Sequence, residues 1–127
     1  MKTLTKAEEQ IMHILWELKT ALVRDILDEL PDPKPAYNTV STVIRVLEKK
    51  EFVGHKSYGS THEYYPLITK KEYTKFHFGE FMEKYFNNSF SQLASFFTAE
   101  NKISMGELEE MMEEIRKEVN TKEEGIA

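Results

Sequence analysis

Six polar residues crowded into one short stretch, Asn38, Thr39, Ser41, Thr42, Arg45 and Lys49, carry the most specific chemistry in this chain. Among them run Val40, Val43, Ile44 and Leu47 at the spacing of one helix face. A helix is therefore expected from about Ala36 to Lys50, with the polar set opposite the apolar stripe. Short hydroxyl and amide side chains near the start of such a helix let it approach base edges and phosphates closely. An arginine further along can fork onto guanine or a phosphate. The first-turn amides add a dipole that favours a phosphate. An amphipathic helix with a merely solvated polar face would show the same pattern, and the next segment of chain tips the balance.

That segment reads as a hairpin. Phe52 to Tyr58 and Thr61 to Tyr65 are rich in aromatics, Val and Thr, Gly59-Ser60 forms a two-residue turn, and Pro66 ends the second strand. His55 and Lys56 lead into the turn and His62 leaves it. A cation there can lie along a nucleic-acid backbone or in a minor groove, so Lys56 joins the candidate contacts. His55 stays open between that role and plain exposure. His62 is read as an exposed hairpin residue without a special role.

Two helices must precede and support this pair. Thr5-Lys6-Ala7-Glu8 is a capping box, and Leu4, Ala7, Ile11, Ile14, Leu15 and Leu18 recur on one face. A shorter helix carries Val23, Ile26, Leu27 and Leu30 and is stopped by Pro31. Pro31, Pro33 and Pro35 then form a stiff connection. Three helices and a hairpin are the order of a winged helix-turn-helix, so the expected class is mainly α with a small β-hairpin. Helices are expected again from Thr69 to about Asn88, from Ser89 to Phe97, and from Ser104 to about Val119, with Lys122 to Ala127 as a frayed tail. The expected division is residues 1–68 for DNA binding and 69–127 for helical dimerisation. Tyr73, Phe76, Phe78, Phe81, Tyr85, Phe86, Phe90, Phe96 and Phe97 do not fit one narrow face. So small an appendage cannot bury them alone, and a second copy of the chain is the expected partner.

Other chemistries find no support. There is no cysteine, which removes disulfides, thiolate catalysis and zinc-thiolate sites. The four histidines show no convincing metal spacing with an acidic third ligand. His13 and His77 read as packing or surface residues, and Trp16 and the phenylalanines as core. No nucleophile-base set, phosphate loop or paired-carboxylate motif stands out, so neither an enzyme nor a cofactor is expected. The net charge of −5 is unpromising for a nucleic-acid binder until it is mapped. Between Lys34 and Lys56 stand five basic residues (Lys34, Arg45, Lys49, Lys50, Lys56) and two acidic ones (Glu48, Glu51). No apolar run of membrane-spanning length and no signal peptide are seen, so a soluble cytoplasmic protein without a membrane partner is expected.

Leu4-Thr5-Lys6-Ala7-Glu8 to Trp16, the run from Ala36-Tyr37-Asn38-Thr39-Val40 to Lys49-Lys50, Phe52-Val53 and Glu63-Tyr64-Tyr65-Pro66 resemble the penicillinase repressor family of winged-helix transcriptional regulators (the BlaI/MecI type, with copper-responsive CopY relatives). The resemblance implies a repressor that dimerises through its C-terminal helices on dyad-symmetric operator DNA. The copper branch uses a cysteine-rich tail, which this chain lacks. The antibiotic-responsive branch is inactivated by a regulatory protease that cuts between an asparagine and a phenylalanine. In ungapped register that bond falls at Phe96-Phe97, so the asparagine is missing, and nearby Asn101-Lys102 does not restore it. Cleavage there and a purely packing role for Leu93, Phe96 and Phe97 both stay open. So do two rival functions: a ligand-responsive regulator with an aromatic C-terminal pocket, and a winged-helix protein-interaction module without DNA affinity.

Overall fold

The computed structural model describes residues 1–100 and 102–126. Asn101 and Ala127 lie outside the described residues. In chain order the elements are α1 (Lys6–Leu18), α2 (Val23–Glu29), α3 (Tyr37–Lys49), β1 (Val53–Tyr58), β2 (Thr61–Pro66), α4 (Lys70–Phe86), α5 (Phe90–Ala99) and α6 (Met105–Ile126). They form two compact units, Met1–Phe78 and Gly79–Ala127. The fold is mainly helical with one two-stranded antiparallel hairpin, as the sequence leads one to expect.

The capping box at Thr5 forms in both directions. The Glu8 amide donates to Thr5 Oγ1 (3.2 Å) and the Thr5 amide donates to Glu8 Oε1 (2.8 Å). The buried stripe of α1 is Glu8, Ile11, Met12 and Leu15. It is turned relative to the expected face: Met12 is fully buried, while Ala7 and Leu18 are exposed. The turn puts a carboxylate inside the stripe. Glu8 is only 4% exposed, and Lys50, just beyond α3, donates to its Oε1 at 2.8 Å. This ion pair ties the start of α1 to the end of α3 across the core.

α2 and α3 close over α1. Ile26, Val40, Ile44, Leu47, Phe52 and Val53 are buried with Leu15 and Met12 in one cluster. α3 ends in a Schellman-type turn. The Phe52 amide donates to Leu47 O and the Glu51 amide to Glu48 O, with Glu51 in the left-handed region at φ 66°. That reversal sends Phe52 into the core and starts β1. Tyr58 pairs with Thr61, so Gly59-Ser60 is a two-residue loop, and Gly59 takes the positive φ that a tight hairpin needs. Ala21 adds a one-residue third strand, exchanging both backbone hydrogen bonds with Tyr64 at 3.0 and 2.8 Å. The hairpin is thereby fastened to the α1–α2 link. Tyr73 of α4 also joins this core, edge-on to Phe52 at 5.8 Å.

The second unit is built differently. α5 has Ser89 as N-cap and no buried residue. Ring contacts link Phe81 with Tyr85 and Phe86, and Phe86 with Phe96. Ser104 Oγ caps α6 by accepting from the Glu107 amide. α6 runs through Ile126, including most of the stretch expected as a tail.

Burial alone would raise the Glu8 carboxyl, but the hydrogen bonds from Lys50 and Thr5 and the Lys50 charge together leave it below its ordinary 4.5. A group depressed on folding stabilises above its unfolded value, and that stability is lost as the pH falls through its folded value. Urea midpoints should therefore drop as pH falls below 4.5, less steeply in Glu8→Gln. Lys50→Met should cost about 2–3 kcal/mol near neutral pH, because it strands a buried carboxylate. An unchanged urea midpoint for Lys50→Met would contradict this role of the pair.

Candidate nucleic-acid interface

With Val40, Ile44 and Leu47 buried, the helical period turns a definite ridge of α3 to solvent. Asn38, Thr42, Arg45 and Lys49 are all exposed along it. Thr42 Oγ1 donates to Asn38 O at 2.8 Å, which leaves its oxygen free to accept. Ser41 lies on the flank toward the hairpin, half-buried. Thr39 lies on the other flank, beside Pro31, Pro33 and Pro35. The six candidates thus form a ridge of four with one residue on each side.

The α3 N-terminus differs from those of α1 and α2. They carry acidic capping residues, Glu8 and Asp25, whereas Ala36 at the N-cap of α3 makes no side-chain cap and the first turn holds no acid. Its first amides remain available to an anion, and the helix dipole favours one.

The positive window between Lys34 and Lys56 divides on folding. Lys34 Nζ donates to Leu30 O (2.6 Å) and Asp28 O (2.9 Å), neutralising the C-terminal end of α2. Lys50 is committed to Glu8. Arg45, Lys49 and Lys56 remain exposed. Strand alternation places Lys56 across from Glu63, on the face of the hairpin opposite to that of His55, His62 and Tyr64. Lys56 therefore stands apart from Arg45 and Ser41.

On the inner side, a groove of about 550 Å³ opens between α2, α3 and the hairpin, lined by Arg24, Tyr37, Ser41, Arg45, Glu48, His55, His62 and Tyr64 among others. Of the seven candidate contacts it collects Ser41 and Arg45. Arg24 and Tyr37 are additions that the sequence does not single out, and His62, expected as a hairpin residue without a special role, lines the groove with them. Their signal was present: Tyr37, Ser41, Arg45 and Glu48 recur at helical spacing, and His55, His62 and Tyr64 share one face by strand alternation. Tyr64 is buried, and burial followed by the Glu48 charge raises its phenol above the usual 10.0, with Arg45 opposing. The tyrosine thus stays neutral beside two arginines. Among the described residues no group of three or more His, Cys, Asp or Glu side chains is arranged to hold a metal. The Phe96-Phe97 bond lies inside α5, with Phe96 exposed and Phe97 half-buried.

A family model described as "Penicillinase repressor" matches residues 4–117. Methicillin resistance regulatory protein MecI of Staphylococcus aureus (strain N315) is 28% identical over 109 residues, covering 85% of this chain and 89% of that protein. The penicillinase repressor of Bacillus licheniformis is 21% identical over 122 residues, covering 95% of each. Among solved structures, the DNA binding domain of the repressor BlaI aligns over 57% of this chain and 94% of that one, at 25% identity and a TM-score of 0.49.

Substitutions of Arg45 on α3 and of Lys56 on the far face of the hairpin should behave differently in duplex-binding titrations by fluorescence anisotropy. Arg45→Ala is expected to cost about 1–3 kcal/mol and to relax preference at one base position. Lys56→Ala should weaken binding alike on all sequences and lower the salt slope by about 1, as a phosphate contact would. Unchanged binding by a folded Arg45→Ala chain would remove the α3 ridge from the interface.

Proposed function

This chain belongs to the penicillinase repressor family of DNA-binding transcriptional repressors, and we propose that it acts as a cytoplasmic homodimer on an inverted-repeat operator whose occupancy responds to cell-wall-active antibiotics. In this reading residues 1–68 contact DNA and the helices from 69 on join two chains. Asn38, Thr42, Arg45 and Lys49 face base edges and phosphates in the major groove. Ser41 and Thr39 flank them, and Lys56 reaches the backbone from the wing.

The apolar surface of the second unit carries the dimer. Tyr85 is 65% exposed, Phe90 67% and Ile115 54%, with Phe96, Met105, Met112 and Val119 also open. So large a set of apolar side chains in water favours association. On α6, Leu108, Met111, Met112, Ile115 and Val119 recur at helical spacing, a seam suited to another helix. Two chains related by a two-fold axis present two α3 ridges in opposite senses, and a dyad-symmetric operator matches them. Joining the two also raises affinity through effective concentration, so anything that parts them relieves repression.

The antibiotic link is drawn from the names of the relatives. A regulatory protease acting as it does in the antibiotic-responsive branch would meet the Phe96-Phe97 bond in hydrogen-bonded helix, which must unwind before cleavage. Together with the missing asparagine and the packing of Phe96 on Phe86, this favours a packing role for both phenylalanines.

Sedimentation equilibrium at about micromolar concentration should give twice the chain mass. Ile115→Glu should raise the monomer fraction and weaken operator binding by roughly tenfold or more while leaving the first unit folded. A stable monomer that binds its operator undiminished would rule out the dimer and the palindrome with it.

A further inference from the structure

The groove between α2, α3 and the hairpin holds two side chains of the one type that ordinarily changes charge near neutral pH, His55 and His62. Register places both on the hairpin face that carries Tyr64. Their rings stack with centroids 4.3 Å apart and planes 23° apart. The Glu48 carboxylate, from α3, meets Nδ1 of His55. The other charged or titratable groups lining the groove are Arg24 from α2, Arg45 and Tyr37 from α3, and Tyr64 from β2.

We propose that the stacked His55–His62 pair, anchored to α3 by Glu48, is a phosphate-contact element of the wing that couples duplex binding to proton uptake. This rests on the reading of this face as the DNA-contacting one. With His55 neutral, the Glu48 charge offsets one of the two arginine charges on a surface that must meet a polyanion. A proton on His55 cancels that charge. A proton on His62 adds a second positive charge and a further donor. Two stacked imidazolium rings repel each other, and an anion beside them offsets that repulsion. A backbone phosphate at the groove supplies that anion and draws the proton in. Linkage makes the effect reciprocal: protons tighten DNA binding by the same factor by which DNA tightens proton binding. Arg24 and Arg45 keep their charge throughout, and Tyr64 stays neutral, so the histidines supply the pH dependence of this surface.

The test uses the full chain and a labelled mixed-sequence duplex at low salt, because a phosphate contact does not depend on sequence. Lowering the pH from about 8 to about 6 should tighten binding roughly fivefold to tenfold. Calorimetry in two buffers of different ionisation enthalpy should show net proton uptake by the unsubstituted chain, a readout that no folding defect in a variant can imitate. The chain carrying both His55→Gln and His62→Gln should lose most of the pH dependence, and His62→Gln alone part of it. Duplex binding that is flat with pH and takes up no protons overturns the proposal while leaving the DNA-binding face in place. So does a steep profile retained in the double variant, which would move the proton to other groups. Absence of duplex binding at either pH overturns both the DNA-contacting face and its proton linkage.

Discussion

Val40, Ile44 and Leu47 are buried together beneath α3, and that burial sets the rotation of the helix about its own axis. Each side chain withdrawn from water contributes roughly 1.5–3 kcal/mol. Turning α3 by one residue, about 100°, would drive polar groups such as Ser41 into the core and lift the apolar ones out. With the rotation settled, Asn38, Thr42, Arg45 and Lys49 have no choice but the solvent side. The Glu8–Lys50 pair holds the far end of α3 to the start of α1. The Schellman-type turn at Glu51 then directs Phe52 inward and launches the wing. The exposed polar ridge proposed to face DNA is thus a consequence of packing on its opposite side.

The same packing explains how an acidic chain can present a basic face. Two of the five cations between Lys34 and Lys56 are spent internally, on the α2 carbonyls and on Glu8. What remains is three exposed cations and an uncapped helix start, all on α3 and the hairpin. At a Debye length of about 8 Å in physiological salt, a phosphate responds to these neighbours far more than to the total of −5.

Much of this is legible in the sequence. Strong periodicity in α1 and α3, the capping box at Thr5 and the Gly59-Ser60 turn are local signals, and they survive because nothing in the tertiary structure opposes them. The rotation of α1 was less legible. Ala7 and Leu18 are as apolar as the residues that do go inside, and nothing short of the Lys50 contact marks Glu8 as an inward carboxylate. The bridge from Ala21 to Tyr64 had no sequence signal, since one residue in extended backbone has no period. The candidate site was read as one polar face, whereas the helix separates Thr39 from Ser41 and the hairpin turns Lys56 away from His62. A helical wheel combined with strand alternation would have found Tyr37, Glu48 and the histidine pair. Arg24 could be placed only by the packing of α2.

The proposed dimer of winged helices would leave a mark on the DNA it selects. Duplexes carrying a random central region can be enriched by binding to the full chain and then sequenced. The enriched sites should be inverted repeats, with half-site centres separated by about 10 base pairs or a multiple of that, so that both α3 ridges enter major grooves on one side of the helix. Enrichment of isolated half-sites, of direct repeats, or of nothing above the starting pool would contradict a two-fold repressor that reads DNA through α3.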